Sequence, residues 1–513
     1  MAEPETDVLI VGGGPVGLAA RALLERWGVR TVLVEKRREL SPFPRSRLVN
    51  VRSMEIFRQL GIAEEVAERA FGARYGRVRF RDTLHADDFA TAAMVGIHEP
   101  IAESPVIGVV TSQDRLEPTL LAAAETPVWF GAELVDLSEQ ADAVVARLID
   151  HRSGEEIRLS AHYVLAADGA NSTVRRQLGI GTVGPGALLD VTTVVFDADL
   201  DQWCAEQPAG VYFTAHGSFL PLYPEGGWAW FGPTPEDVAG ADWAGIVSNA
   251  LGSAADTRPE VLRVQHWVMN AFVAERFHHG RILLAGDAVH AVPIVGGLGM
   301  NTGIGDVHNL CWKLAGVLHG WAGPGLLDTY EAEREPVAQQ TLRRAVANTR
   351  LMVEVQSRRQ ERADATEAEL PWSEEYFAQL GLVLGVGYRS AAVLGGDDIR
   401  REPGTGYVPT AEPGYRVPHL WLGRNRSTLD VTRERFALLT ADPDGWAPHT
   451  AVSCPLTVEA LPAEHLDLCG LGAHGALLVR PDGHVGARWS GPPPDRAAVP
   501  RALAALTGSL GGP

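Results

Sequence analysis

The sequence predicts an α/β protein: a parallel-sheet unit, a run of short antiparallel strands in the middle of the chain, and a small α/β unit at its end. Three observations carry this. The first 35 residues read as strand, glycine-rich turn, helix, and a second strand closing on an acid. Two later apolar strands each run straight into a turn bearing an aspartate. Between them, residues 179–278 break into short β-like runs split by glycine and proline.

Composition bounds the reading. The chain has 513 residues, 46% of them apolar and 21% charged. That length implies roughly two to four domains. The formal charge of −19 disfavours nucleic acid and an anionic membrane surface as partners. No apolar run approaches the roughly 20 residues that span a bilayer, and the N-terminus lacks the cationic head of a signal peptide. Cys204, Cys311, Cys454 and Cys469 lie far apart with no CxxC. A disulfide scaffold and a cysteine-cluster metal site are therefore not expected. A cytoplasmic protein with reduced thiols and no metal is expected.

The first element is the most specific. Asp7–Val11 reads as a buried strand and is followed by Gly12-Gly13-Gly14-Pro15-Val16-Gly17, a GxGxxG pattern. A helix follows over 18–27, stopped by Gly28. Arg30–Glu35 is a second strand, and Glu35 lies 18 residues past Gly17. Gly12 permits the tight turn, Gly14 a close approach of backbone to a pyrophosphate, and Gly17 close packing of helix on strand. The helix N-terminus offers free N–H groups to phosphates. Glu35 can accept from a ribose 2′-hydroxyl and would repel a 2′-phosphate. This is the Rossmann-like dinucleotide-binding pattern in its confirming context, and it leaves FAD and NAD both open.

The second element, Tyr163 to Ser172, is an apolar strand running into Asp168-Gly169, with Arg175 and Arg176 in the helix beyond; an ordinary strand–turn–helix is the plain alternative. The third runs from Arg281 to Gly286-Asp287, then His290, Pro293 and Gly296-Gly297-Leu298-Gly299-Met300-Asn301. A helix is predicted from about Thr302 to His319, with Ile304, Val307, Cys311, Leu314 and Leu318 as its core stripe. The glycines thus precede a helix N-terminus, where backbone N–H groups favour negative charge.

GxGxxG, then Asp-Gly, then Gly-Asp with HxxPxxGGxG: in this order the chain resembles the single-component flavoprotein aromatic hydroxylases of the p-hydroxybenzoate hydroxylase fold. More narrowly, it is similar to the aromatic polyketide hydroxylases of the aklavinone 11-hydroxylase type. Supporting stretches include Pro44-Arg45-Ser46, Arg52–Gly61, Ser112–Pro118, Leu327–Arg334, Tyr388–Leu394 and Val479–Gly483. The resemblance implies a Rossmann-like FAD-binding domain in two parts (1–178 and 279–395), an inserted antiparallel-sheet substrate domain (179–278), and a thioredoxin-like C-terminal domain (396–513). Part of 76–110 would cross between the first two. The last domain lacks CxxC, so no dithiol exchange is expected of it.

By the same resemblance FAD is the bound cofactor, NADPH a transient co-substrate and O₂ the oxidant. Gly12, Gly14, Pro15, Gly17, Glu35 and Lys36 would hold the ADP half. Arg45 and Gln113 would contact the ribityl-pyrophosphate region, unless they are a solvated loop arginine and a helix-start residue. Asp168 would support the nucleotide site and Asp287 would hold the ribityl chain. Pro293 would lie beside the isoalloxazine, with Gly297, Gly299, Met300 and Asn301 at its pyrimidine edge. His290 reads as a structural neighbour rather than a base, and no catalytic side chain is identified. The implied reaction is hydroxylation of an aromatic, polycyclic polyketide through a flavin C4a-hydroperoxide. Baeyer–Villiger insertion, or oxidation of a small phenol or drug, are the alternatives. Monomer and homodimer are both open.

Aromatics concentrate in the middle stretch: Trp203, Tyr212, Phe213, Phe219, Tyr223, Trp228, Trp230, Phe231, Trp243 and Trp267. Some are expected to wall the pocket for a flat substrate and the rest to be core. Trp228-Ala229-Trp230-Phe231-Gly232-Pro233 resembles the WxWxIP signature of flavin-dependent halogenases, but Gly232 stands where isoleucine should, and it is read as coincidence. Arg400–Pro418 reads as a boundary loop. Leu429–Leu439, Ala476–Val479 and His484–Trp489 are expected strands. Arg358–Glu369 is expected to be a solvated helical face.

Overall fold

The computed structural model describes residues 5–252, 258–361, 379–395 and 406–509. The first six residues of Arg400–Pro418 and most of Arg358–Glu369 lie outside them.

Strand β1 (Thr6–Val11) turns through Gly12 to Gly14 into helix α1 (Pro15–Arg26), which returns the chain to β2 (Thr31–Glu35). Helix α2 (Gln113–Ala122) then leads to β3 (Val128–Phe130), and β4 (Glu156–Ala166) follows. The chain next enters a second sheet through β5 (Thr182–Asp197), β6 (Gly226–Pro233) and β7 (Glu260–Ala274). It returns with β8 (Ile282–Leu284), α3 (Gly299–Leu318) and the long α4 (Asp328–Glu361).

The first sheet has the order β8-β4-β1-β2-β3, all parallel, with short antiparallel strands added at its flanks. β1 and the inner ends of β4 and β8 are apolar and buried, as strands covered on both faces must be. Register decides where the strands stop. Val11 pairs with Val34 and with Ala166, and Ala166 pairs with Leu284. The carboxyl ends of four parallel strands are therefore level, and the turns at Gly12, Asp168 and Asp287 emerge at one edge.

The second sheet is mainly antiparallel and has eight strands. Arg77–Arg81 and Asp88–Ala93 cross over from the first half of the chain to form its far edge. Alternation gives it two faces. Val194, Phe196, Tyr212, Phe219, Trp228 and Trp230 pack under the helix Trp243–Leu251. The opposite face carries Thr193, Phe213, Leu220 and Phe231.

Residues 406–509 hold a four-stranded mixed sheet in the order Leu456–Ala460, Phe436–Thr440, Ala476–Val479, Val485–Trp489, closed by the helix Ala498–Leu506. The strand expected over 429–439 is shorter. Ser427 and Asp430 form a capping box over a helical turn at Thr428–Asp430, so the strand begins only at Phe436. All four cysteines are buried and unpaired. No helix among the described residues is long and apolar enough to cross a membrane.

Candidate active site

The level strand ends open into one cavity of about 1110 Å³ that runs to the free face of the second sheet. Gly12, Gly14, Pro15, Glu35, Lys36, Arg45, Gln113, Asp168, Asp287, Pro293, Gly297, Gly299 and Met300 all lie on its wall.

Each is placed by local chemistry. Gly12 has φ +108°, and a Cβ there would stand 2.3 Å from the Ala167 carbonyl oxygen of the neighbouring strand. Only glycine fits both demands. Gly17 does not reach the cavity. It lets α1 sit on the turn, since a Cβ would lie 2.0 Å from the Gly12 carbonyl oxygen. Around Gly14 an added Cβ would meet nothing within 4 Å, so this backbone is open to the cavity. Glu35 is held by the N–H groups of Gly13 (2.7 Å) and Arg37 (2.9 Å), which fix its carboxylate at the end of β2.

Asp168 accepts from the N–H groups of Thr173 (2.7 Å) and Val174 (3.2 Å) through Oδ2, while its buried Oδ1 has no partner. Arg175, in the helix that Asp168 steadies, donates to the carbonyls of Ala170 (2.9 Å) and Ala288 (2.7 Å), bracing the second turn against the third. Asp287 opens into the cavity yet lies deep in the molecule. Burial pushes its carboxyl above the usual range, against the pull of His290 and Arg45. Arg45 also opens into the cavity, its guanidinium lowered by burial in spite of Glu117, Asp287 and Glu35 nearby. Gln113 opens α2; it donates to Glu117 (2.7 Å) and accepts from the N–H of Ser46 (3.3 Å), tying the Arg45 loop to the helix.

Behind the third turn, Asp306 is fully buried. Its Oδ2 accepts from the Gly286 N–H (3.0 Å) and meets His290 Nε2 (2.7 Å); its Oδ1 accepts from Arg334 (2.8 Å). Burial opposes its charge, but His290 and Arg334 hold the carboxyl below its usual value. His290 lies behind the wall and does not reach the cavity.

Two expectations need correction. Helix α3 begins at Gly299, three residues before the expected start, so Met300 and Asn301 lie in its first turn. The Asn301 side chain does not face the cavity. Its amide points back into the loop, donating to the carbonyls of Leu48 (2.8 Å) and Gly297 (2.7 Å) and accepting from the Asn50 N–H (2.9 Å). Of the ten aromatics of the middle stretch, Phe213, Phe231 and Trp267 line the cavity. Tyr212, Phe219, Trp228 and Trp230 are core, and Trp203 stacks on His85. Trp228 and Trp230 thus point away from the cavity.

Sequence reading missed Arg47, Met94 and Gln379 on the wall. Their burial is set by tertiary contact, and no local pattern announces it. The period-2 alternation in 211–213 and 228–231 does separate Phe213 and Phe231 from Tyr212, Trp228 and Trp230.

A level row of parallel strand ends, a glycine turn into a helix and a cavity at that edge define a dinucleotide-binding protein. Residues 5–345 match the FAD binding domain family and residues 410–510 the aromatic-ring hydroxylase C-terminal family. The chain is 35% identical over 529 residues to aklavinone 12-hydroxylase RdmE of Streptomyces purpurascens, covering 94% of this chain and 95% of that one. Among solved structures, the flavin-dependent monooxygenase PieE in complex with FAD and substrate superimposes with a TM-score of 0.90, at 31% identity, over 98% of this chain and all of that one. The ternary complex of aklavinone-11 hydroxylase with FAD and aklavinone gives 0.85, at 32% identity, over 99% and 100%. The protein belongs to the FAD-dependent aromatic-ring monooxygenases.

The residues present fit that cofactor. The Gly12–Pro15 turn leaves room for a pyrophosphate at the N-terminus of α1. Asp168 Oδ1 is a buried oxygen without a partner, and Asp287 is a carboxyl open to the same space.

Proposed function

We propose that the protein is an NADPH-dependent hydroxylase of a polycyclic aromatic substrate of the polyketide type. One observation supports this above the others: a single cavity joins the polar strand-end turns to an apolar wall of Phe213, Leu220, Phe231 and Trp267. Its volume exceeds the roughly 300–1,000 Å³ of a pocket for one small ligand, as a site for a dinucleotide and a second large molecule requires. The likeness to aklavinone-11 hydroxylase in complex with FAD and aklavinone, and to the monooxygenase PieE in complex with FAD and substrate, supports the substrate class.

When bound, FAD would supply the redox chemistry, with NADPH as reductant and O₂ as oxidant, one oxygen atom going to the ring and the other to water. The chain's own residues bind, orient and shield. Gly12, Gly14, Pro15, Glu35 and Lys36 hold the ADP half, with Gly17 seating the helix. Arg45 and Gln113 serve the pyrophosphate-ribityl region, Asp168 the nucleotide side and Asp287 the ribityl chain. Pro293, Gly297, Gly299 and Met300 frame the flavin ring, and Asn301 fixes their loop. The N–H groups opening α3 favour negative charge at the ring's pyrimidine edge. The apolar wall excludes water from the reacting ring.

In this reading 1–178 and 279–395 form the FAD-binding domain and 179–278 the inserted substrate domain, which borrows strands from 77–93. The C-terminal unit is thioredoxin-like: a parallel strand pair, then an antiparallel hairpin and a closing helix. The two other GxGxxG runs of the chain, Gly179–Gly184 and Gly470–Gly475, each follow a helix and lead into a strand, the reverse of the nucleotide-binding order, in keeping with transient NADPH binding at the surface.

The test is anaerobic mixing with NADPH, following flavin bleaching with and without hydroxyanthraquinone-type polycycles and simple phenols. Strong acceleration by the polycycles is expected, with product mass raised by one oxygen and the carbon skeleton kept. Acceleration by simple phenols alone refutes the substrate class. A flavin that NADPH never reduces refutes the reaction.

A further inference from the structure

Arg47 stands on the wall of this cavity at the end facing the second sheet. Its side chain is buried, 8% exposed, with the guanidinium 5.3 Å over the Phe71 ring. Nη1 reaches only the Gly210 carbonyl, at 3.5 Å, and Nε and Nη2 have no partner. Gly210 leads into Val211–Thr214, whose Val211 and Phe213 line the cavity.

Other buried arginines are satisfied. Arg21, 3% exposed, donates to the Thr126, Leu121 and Ala124 carbonyls. Arg416 is paired with Glu55 and Arg480 with Glu333 and Asp482. The acid that attracts Arg47 is Asp114, but no hydrogen bond joins them: Asp114 Oδ2 takes the Tyr223 hydroxyl at 2.5 Å and its buried Oδ1 has no hydrogen-bond partner. Burial lowers the Arg47 guanidinium to about 9, which still leaves it charged at neutral pH. A buried cation with no hydrogen-bonded counter-charge is costly, and a guanidinium fork suits a planar anionic oxygen pair or a phenolate. The pyrophosphate turn is made elsewhere on the wall, at Gly12–Pro15, so the missing anion is not a cofactor phosphate.

We propose that Arg47 is a specificity-determining residue that receives an anionic oxygen of the aromatic substrate, either a carboxylate or an ionised phenol. This rests on reading the apolar end of the cavity as the substrate site.

The test uses the full-length, FAD-loaded protein and three probes: anthraquinone-2-carboxylate, its methyl ester and 2-hydroxyanthraquinone. Binding is followed by perturbation of the flavin spectrum in wild type, Arg47→Met and Arg47→Lys. Wild type is expected to bind the acid at least about tenfold more tightly than the ester, the scale of a charge-assisted bond. Arg47→Met is expected to erase that ratio while binding the ester within about twofold of wild type, and Arg47→Lys to keep part of it. Tight, Arg47-dependent binding of the hydroxy compound that rises with its ionisation marks a phenolate site; preference for the acid alone marks a carboxylate site. Without ligand, Arg47→Met is expected to melt no lower than wild type, because it removes a buried charge that has no hydrogen-bonded counter-charge.

An acid-to-ester ratio near one in wild type, or one that persists in Arg47→Met, overturns the proposal. So does loss of FAD from Arg47→Met, which would make this a cofactor residue. If the acid preference is present and lost on mutation while NADPH never reduces the flavin, the reaction reading fails and the anion site stands.

Discussion

Glu333 of α4 offers the sharpest test of how the C-terminal unit is fastened to the helices behind the site. Its buried carboxylate accepts from Arg480 (2.6 and 2.8 Å), Lys313 (2.8 Å), Ser390 (2.6 Å) and Asn309 (2.6 Å). Arg480 is also paired with Asp482. Two buried cations thus face two buried carboxylates. Glu333→Gln keeps the volume, removes one negative charge and leaves a buried cation uncompensated. Breaking a buried pair in this way costs about 3–5 kcal/mol. The unfolding entropy of about 2.1 cal/mol/K per residue, taken over the whole chain as one unit, makes this a fall of about 3–5 °C in melting temperature. A C-terminal unit that melts by itself falls further.

The pH dependence has a definite sign. Burial opposes the Glu333 charge, but Arg480 and Lys313 outweigh it and lower the carboxyl from 4.5 to about 2. A depressed carboxylate stabilises the fold above its unfolded value and loses that contribution as pH falls through the folded one. Thermal melts of the FAD-loaded protein should therefore show the full gap between wild type and Glu333→Gln from pH 6 to 8, closing below about pH 4.5. Replacing Lys313, Glu333 and Arg480 together by apolar residues of similar size should recover most of the loss. A gap under about 1 °C, or one that stays constant into acid, refutes the reasoning.

Gly17→Ala should cost bound FAD first, because the new Cβ meets backbone at 2.0 Å and α1 must retreat from its turn. The flavin-to-protein absorbance ratio after gel filtration reads this, and a fully loaded variant would disprove it. Asp306→Ala frees the Gly286 N–H and leaves His290 and Arg334 without their carboxylate. It should weaken FAD retention and lower stability by about 3–5 kcal/mol, measured by flavin release and denaturant titration; retention equal to wild type would show that Asp306 does not position the turn of Asp287. On β6, Trp228→Ala and Phe231→Ala should part company. The first empties a packed core and costs about 3–5 kcal/mol, whereas the second mainly raises KM for the aromatic substrate; reversal of these two effects would mean the faces of the sheet are misassigned.

The cofactor half was legible because it is written in punctuation. Glycine and aspartate at the ends of apolar runs mark where strands stop, and these marks do not depend on distant residues. Level registry then follows from parallel pairing. Where reading erred, tertiary contact had overridden a local signal. The start of α3 looked like loop because Gly296, Gly297 and Gly299 crowd it, yet the Asn301 amide ties that loop down and the helix begins at Gly299. The strand Leu456–Ala460 was missed because it is half-exposed and carries Thr457 and Glu459, which blurs the apolar signal.

The substrate half is written differently. Its wall is a sheet face, and both faces of that sheet are apolar: one covered by the helix Trp243–Leu251, the other open to the cavity. Alternation sorts Phe213 from Tyr212 and Phe231 from Trp230, but only the folded chain says which set faces the ligand. The polar groups there are single side chains, Arg47 above all, set among residues distant in sequence. In the proposed reading, backbone turns fix the cofactor site and isolated side chains fix the substrate site. A substitution at Arg47 or Phe231 can retune the ligand without disturbing the three turns, whereas a change at Gly12 or Gly17 disturbs the turn itself. On that reading one scaffold keeps its flavin chemistry while the oxidised molecule changes: the reaction class is readable from the turns, and the proposed choice of substrate rests on a few buried side chains.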